Sequence, residues 1–489
     1  METNDLIGLN LLLAGTVLSI VLLCAWQWAR DAALFAITFG MMFVEKMEKN
    51  FFGNFWYRGT TRGVEVSVLD VLALGLLISS VFFPPRNQNR PRWFWPASLG
   101  LMLVYLVYAG ASAMLSEPTS YGYYEWSKMV RGVLYFMAAA AFIRSEREIA
   151  ILVLGLCCAV CYEGVLTIKE RVLEGVDRVT GSLDHANSLS MYLCLVAPLF
   201  PAAFNSGLPR WLRWFCIPAI AAAAVASVLT LSRAGVPIFG LVMLGATVMC
   251  ISWRITVKKV VVTMLIVAAV GGLFVKIWPN LKARYAEASM EEEYLDKQVE
   301  GRGYYLRLAK AIVSDRFFGV GLNNWSYWVS KKYGVKVGRP YEDYDRHKNP
   351  AEEERVWDYD YAAPAHNLAA LTVGELGLPG LVLFVLLWIR WFQMGSVFLW
   401  KRSTGTMYRI GTGIFFCICG IFLQSLTEWV YRQTQIFLTF NLLLGTLASL
   451  YYVKRHACRK PAHARAELPV VTCDLPAGTV ATPAALPAR

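Results

Sequence analysis

Apolar runs of about 17 to 25 residues recur along this chain, the length a helix needs to cross ~30 Å of hydrocarbon. In lipid the backbone has no water to bond, so only helices or closed barrels span it, and runs this long are helices. They lie near 6–28, 64–84, 93–115, 126–143, 148–169, 185–205, 212–231, 234–252, 257–278, 366–392, 406–426 and 433–453. The expectation is an all-α polytopic membrane protein with about twelve transmembrane helices. A further apolar stretch, 32–44, is short and flanked by Arg30-Asp31 and Glu45-Lys46, which predicts a re-entrant or interfacial segment and leaves the side of the N-terminus open. Composition excludes a soluble chain of this length: of 489 residues, 56% are hydrophobic and 17% charged.

Orientation follows from Lys and Arg in the short connections. Arg86, Arg90 and Arg92 share one, Arg144 and Arg147 another, then Arg210 with Arg213, and Arg254 with Lys258 and Lys259. Lys401, Arg402 and Arg409 follow, and a tail begins at Lys454-Arg455. These connections alternate along the chain, so they share one face, assigned to the cytoplasm. The net charge of +12 then reflects topology and contact with anionic membrane lipid, and no nucleic acid is expected as a partner. The chain divides into transmembrane helices over 1–278, a large outer loop over 279–365, three more helices over 366–453, and a tail over 454–489. The tail is rich in Pro and Ala without period and is expected to be disordered. No cleavable signal peptide is expected, because the first apolar run follows Glu2 and Asp5 and not a basic stretch.

The outer loop, roughly 87 residues of polar sequence in an apolar protein, is the place where chemistry fits. It carries Arg302 and ends at His366-Asn367, where the chain re-enters the membrane. Tyr305, Leu308, Ala309, Ile312, Val313 and Phe317 form a helical stripe over 304–317, fit to lie on the bilayer or pack on the span ends. Gly319, Gly321 and Asn323-Asn324 break it, and 331–361 is charged and turn-rich, as in a flap. None of the eleven cysteines lies in 279–365, so no disulfide staples it. Cys158 and Cys161 form a C-x-x-C inside an apolar run, where packing is the better reading.

Polar groups at membrane depth are costly and each needs an account. Arg233 lies between two spans, and Asp184, His185 and Asn187 lie at another outer boundary. Glu428 and Arg432 share a short outer turn, and Arg302, His366 and Asn367 bracket the long loop. On the assigned topology all fall on one side, at one depth. Taken singly, each Arg also reads as an interfacial anchor, Glu428 with Arg432 as an i,i+4 ion pair, and His366 as a helix N-terminal residue. Together they suit an anionic amphiphile, since the Arg fork binds phosphate oxygens bidentately and stays charged.

The segments LTLSRAG, Arg302, DRFFGVGLNNW and HNLAALTVGELGLPGLVLF together resemble the O-antigen ligase/polymerase superfamily of bacterial envelope proteins. The resemblance covers roughly 180 to 390. Two mild departures are Asp315-Arg316-Phe317-Phe318, where the family often has a Pro before its glycine turn, and Trp325 for the usual Phe. It implies glycosyl transfer on the periplasmic face of the bacterial inner membrane, with no nucleotide or metal. The donor would be a polysaccharide on undecaprenyl diphosphate, and in the ligases the acceptor is a sugar of the lipid A core. By position His366 matches the family's essential loop-end His, and Arg233 and Arg302 its essential Args. His366 is then the expected catalytic base, while Arg233, Arg302, Asn187, Asn367, Glu428 and Arg432 are the expected substrate-binding residues.

Other activities share this architecture: polymerisation of lipid-linked repeats, and transfer to Ser or Thr of a protein. A metal-dependent glycosyltransferase is the reading invited by Asp343-Tyr-Asp345 and Asp358-Tyr-Asp360, but the strand–helix alternation of a nucleotide-sugar domain is absent. A transporter for the lipid-linked sugar fits the span count, while the lack of visible internal repeats and the large outer loop weigh against it.

Overall fold

The computed structural model describes residues 3–54, 56–83, 94–250, 301–344, 360–399 and 405–457, with isolated positions between 264 and 282. Several expectations lie outside those residues: nearly all of the span 257–278, the part of the flap at 345–359, Asp345 and Asp358, the tail from 458, and Arg86, Arg90, Arg92, Arg254, Lys258, Lys259, Lys401 and Arg402.

The described chain is almost wholly helical. α1 (Thr3–Ala25) and α2 (Gln27–Gly40) come first, and α2 continues through one 3-10 turn, Met41–Phe43. The expected segment 32–44 is thus the end of α2 and that turn. A two-stranded antiparallel hairpin follows, β1 (Glu48–Phe51) pairing with β2 (Val64–Ser67) in the register Glu48 to Ser67. Then come α3 (Val68–Phe82), α4 (Leu99–Met114), α5 (Thr119–Phe142), α6 (Glu146–Val172), α7 (Ala186–Val196), α8 (Leu199–Phe204), α9 (Arg210–Leu229) and α10 (Gly235–Cys250). The long segment before the last three helices contributes α11 (Arg302–Asp315), and the chain closes with α12 (Leu368–Ser396), α13 (Thr406–Ser425) and α14 (Thr434–Ala457). The single run expected at 185–205 is two helices, α7 and α8, separated at Ala197-Pro198 because Pro cannot supply the next backbone N–H.

Among the described residues six helices are long and apolar enough to cross a membrane: α6, Ala186–Phe204, α9, α12, α13 and Thr434–Arg455. Four shorter apolar stretches accompany them, Asn10–Ala25, Val68–Phe82, Leu99–Met114 and Gly235–Cys250. α5 is long enough but buries three charges, Glu125, Lys128 and Arg131, at a spacing of three on one face. α14 packs along α5, α9 and α2 along α6, and α10 and α8 against α13. Tyr192, Phe136, Phe200 and Phe440 are fully buried in the resulting core.

α11 is the helix the stripe at 304–317 predicts, and it packs on α12 through Tyr304, Leu308 and Ile312. The join between that long segment and α12 is made of backbone. α12 breaks at Gly377 (φ 67°, ψ −172°), which frees the carbonyls of the preceding turn. Val320 N–H donates to Gly374 O at 2.9 Å, Gly321 N–H to Glu375 O at 2.9 Å, and Tyr108 Oη–H to Leu376 O at 2.7 Å. Leu378 N–H donates back to Phe317 O at 3.2 Å. Each of these backbone groups is satisfied by protein. Only glycine fits this contact: Gly319 and Gly377 both have φ in the left-handed region, and a Cβ on either would fall 2.3 Å from Glu375 O or 2.1 Å from Phe317 O.

Arg131 clasps the hairpin to the bundle. Its Nε lies 3.1 Å from Asp70, Nη1 3.4 Å from Glu65 and Nη2 3.3 Å from Glu48. Three carboxylates share one guanidinium, so burial, and then repulsion from Glu65, push Glu48 up to about 8. A carboxyl raised in the folded state binds its proton more tightly there than in the unfolded chain. Stability from this group is full below the ordinary value of 4.5 and is lost as pH climbs towards about 8. The melting temperature of the purified protein is expected to fall across that window. Glu48→Gln should flatten that part of the profile, and an unchanged slope would remove Glu48 as its source.

Candidate active site

The ends of α7, α9, α12 and α13, with the start of α11, bring their polar residues to one end of the bundle. His366 precedes α12 in the sequence Pro364-Ala365-His366-Asn367. Asn367 is the helix cap: its Oδ1 accepts from Ala370 N–H at 2.9 Å, and its Nδ2 donates to Leu426 O at 2.7 Å. The cap therefore fixes the residue before it against the turn after α13, where Glu428 sits.

Glu428 is the centre of the cluster. Its Oε2 lies 2.7 Å from His366 Nδ1. Its Oε1 accepts from Asn187 Nδ2 at 2.8 Å and lies 3.7 Å from Arg302 Nη2. Arg302 is held in addition by its Nε, which donates to Thr427 O at 3.1 Å. A carboxylate only accepts, so the proton on the His366 side of the contact belongs to Nδ1, and the lone pair of Nε2 is left as the basic atom. The Glu428 side chain is 10% exposed and that of His366 39%, so the carboxylate lies beneath the ring and the ring meets the outside. Tyr305 from α11 tilts over the imidazole with ring centroids 5.5 Å apart.

Asn187, on the first turn of α7, receives a hydrogen bond at its Oδ1 from Ser232 Oγ at 3.2 Å. Arg233 follows Ser232 in the turn between α9 and α10 and is half-buried there. His185 caps α7, its Nδ1 accepting from Asn187 N–H at 3.2 Å. The edge of its ring is exposed, yet desolvation by the protein around it and the charge of Arg178, opposed by Glu428, lower its pKa. That direction favours the neutral ring, whose Nδ1 lone pair makes the cap.

Arg432 belongs to a different cluster. It lies on the 3-10 turn Val430–Arg432 and is buried, its Nε 3.0 Å from Glu125 and its Nη1 2.6 Å from Glu375. Lys128 Nζ lies 2.7 Å from Glu125 and donates to Arg432 O at 2.6 Å. Thr60 and Thr61 donate to the same carboxylate, and Asn323 of the glycine turn accepts from Thr60 N–H at 2.9 Å. Glu428 and Arg432, four residues apart, are therefore not partners: no helix connects them, and each is taken by residues distant in sequence. Beside this second cluster an apolar cleft runs between α4, α5, α12 and α14, lined by Tyr105, Met129, Phe384, Leu387 and Trp391 and reaching Glu125 and Arg432 at one end.

Of the residues expected from sequence, His366, Glu428, Asn187 and Arg302 meet directly, Asn367 anchors the group, Arg233 flanks it, and Arg432 pairs with Glu125 and Glu375 in the second cluster. Sequence reading passed over Arg178, Glu125, Lys128 and Glu375 as participants. Among the described residues no group of three or more His, Cys, Asp or Glu side chains is placed to hold a metal ion.

No curated protein matches the chain. Residues 218–385 match the family model described as O-antigen ligase. That stretch runs from α9 through Arg233 and Arg302 to His366 and the first half of α12, and the match supports the resemblance to the O-antigen ligase/polymerase superfamily.

Proposed function

We propose that the protein is an O-antigen ligase of the bacterial inner membrane, working at the periplasmic face. The chain crosses the membrane about twelve times in this reading, with 279–365 outside and 454–489 in the cytoplasm. It moves a polysaccharide from undecaprenyl diphosphate to a sugar hydroxyl of the lipid A core. The observation that carries the reading is the His366–Glu428 pair, with Arg302 beside it.

The chemistry follows from those atoms. The acceptor hydroxyl oxygen attacks C1 of the donor sugar, and its proton passes to His366 Nε2. The bond from C1 to the diphosphate oxygen breaks, and its electron pair leaves with the undecaprenyl diphosphate. Glu428 holds the imidazole in the tautomer that exposes Nε2 and balances the imidazolium that forms. Arg302 and Arg233 stabilise the charge that grows on the diphosphate. The displacement is direct and inverting, and no metal takes part. The apolar cleft beside Arg432 suits one polyprenyl chain.

Deleting the gene in its host and running lipopolysaccharide on a gel tests the assignment. The expected result is rough lipopolysaccharide with polymer stranded on the lipid carrier. Core plus one repeat would make the protein a polymerase, and intact lipopolysaccharide with an unglycosylated envelope protein would make it a protein O-oligosaccharyltransferase. Single lipid-linked repeats held on the cytoplasmic side would make it a transporter.

A further inference from the structure

Arg178 lies in the connection between α6 and α7, in a stretch (GVDRVTGS) with no pattern to mark it. The connection is tied down on both sides. Glu170 of α6 accepts from the N–H groups of Thr180 and Gly181 at 2.9 and 3.1 Å, and Glu163 accepts from Ser182 N–H at 3.2 Å. Val179 is fully buried, and its N–H donates to Leu229 O at the end of α9. Arg178, half-buried, turns inward from this frame. Its Nε donates to Thr230 O at 3.1 Å, and its Nη2 donates to Asn187 Oδ1.

That second contact has a directional consequence. An amide can present its oxygen or its nitrogen to a neighbour, and only the nitrogen suits a carboxylate. Arg178 and Ser232 both donate to Asn187 Oδ1, so the oxygen points at them and Nδ2 points at Glu428. Arg178 thus donates to Asn187, and Asn187 and His366 Nδ1–H both donate to Glu428, which links the three side chains to the imidazole. From these contacts we infer that Arg178 is a positioning residue for His366, acting through Asn187 and Glu428 to hold the ring as the Nδ1–H tautomer with Nε2 open. It touches neither substrate. The inference rests on His366 being the base, and it adds a residue outside the stretch 218–385 that carries the family match.

Two readouts separate this inference from the reading it rests on. The first needs no turnover: histidine-selective 15N labelling of the full-length protein in detergent, with the His366 signals assigned by their loss in His366→Gln. In the wild type, His366 should report a protonated Nδ1 and a bare Nε2. In Arg178→Gln the two tautomers should mix, in Glu428→Gln the Nε2–H tautomer should prevail, and Arg178→Lys, which keeps a charged donor for Asn187, should fall between wild type and Arg178→Gln. The second readout is transfer with purified lipid-linked donor and acceptor. Arg178→Gln should lower kcat by on the order of 10²-fold with donor KM within about twofold, the cost expected when a catalytic group is misplaced from a distance. In a Glu428→Gln background the same change should cost almost nothing more, because the two residues act in one series. An unchanged His366 tautomer in folded Arg178→Gln protein would overturn the inference, as would a raised donor KM with kcat kept, which would put Arg178 on the diphosphate. Wild-type protein that is inactive on this donor but shows the tautomer shift would instead overturn the proposed reaction and leave the positioning intact.

Discussion

His366→Ala protein is expected to insert and fold as the wild type does and to lose transfer by about 10²–10⁴-fold, the range a general base contributes. The ring is partly exposed and Asn367, not His366, caps α12, so little stability depends on the imidazole. His366→Gln separates two roles. Glutamine hydrogen-bonds but has no useful basicity, so a rate near wild type would mean that residue 366 only positions the acceptor. Glu428→Gln is the sharper companion. It preserves shape, but its amide offers Nδ1 of His366 a donor in place of an acceptor, so the ring turns its lone pair inward and its proton outward. A loss of similar size is expected from this single-atom exchange, as a tautomer effect and not a binding effect. Initial rates with purified donor and acceptor, at saturating and limiting donor, decide both cases. EDTA should leave the wild-type rate unchanged, and a clear loss would revive a metal at Asp343 and Asp345.

Arg432→Met is expected to cost about 3–5 kcal/mol of stability, because two buried carboxylates, Glu125 and Glu375, are left facing each other without their shared cation. Lys128 is already held by Glu125, Thr61 and the Arg432 carbonyl, so it does not substitute. The change should appear as a lower unfolding midpoint in detergent, and neutralising both carboxylates with Glu125→Gln and Glu375→Gln in the same chain should recover much of it. If Arg432 instead held substrate, the midpoint would stay put and donor KM would rise. That result would return Arg432 to the binding site and leave the Glu125 cluster without its organising charge.

What sequence made legible here is what local pattern encodes. Apolar runs located most of the helices to within a few residues, and the stripe from Tyr305 to Phe317 located α11. Stacking polar boundary residues on one face groups His366, Glu428, Asn187 and Arg302, but puts Arg432 in the same set, which the structure gives to Glu125 and Glu375. Three features escaped, each for a physical reason. The β1–β2 hairpin lies in a stretch whose pairing is set by Arg131, more than sixty residues further on, so no short window shows it. The partners of Arg432 are Glu125 and Glu375, and spacing in the chain says nothing of a contact across three helices, which is why Glu428 looked like the natural partner. Arg178 sits among ordinary turn residues, and only the fold of the connection aims it inward.

The glycine contact between 317–321 and the break in α12 works as a staple made of peptide groups. It ties the helix bearing Arg302 to the half-helix that His366 and its cap Asn367 lead into, so the two residues travel as one part. The chain between the stapled ends, from Leu322 to Val373, is then a closed loop, and lengthening a closed loop adds little entropic penalty. Residues inserted near Gly338 or Asp360 can reshape what the outer segment recognises without altering the arginine-to-histidine spacing. On the proposed function, sugar preference and catalytic geometry would then be separately variable: one could drift while the other stays still.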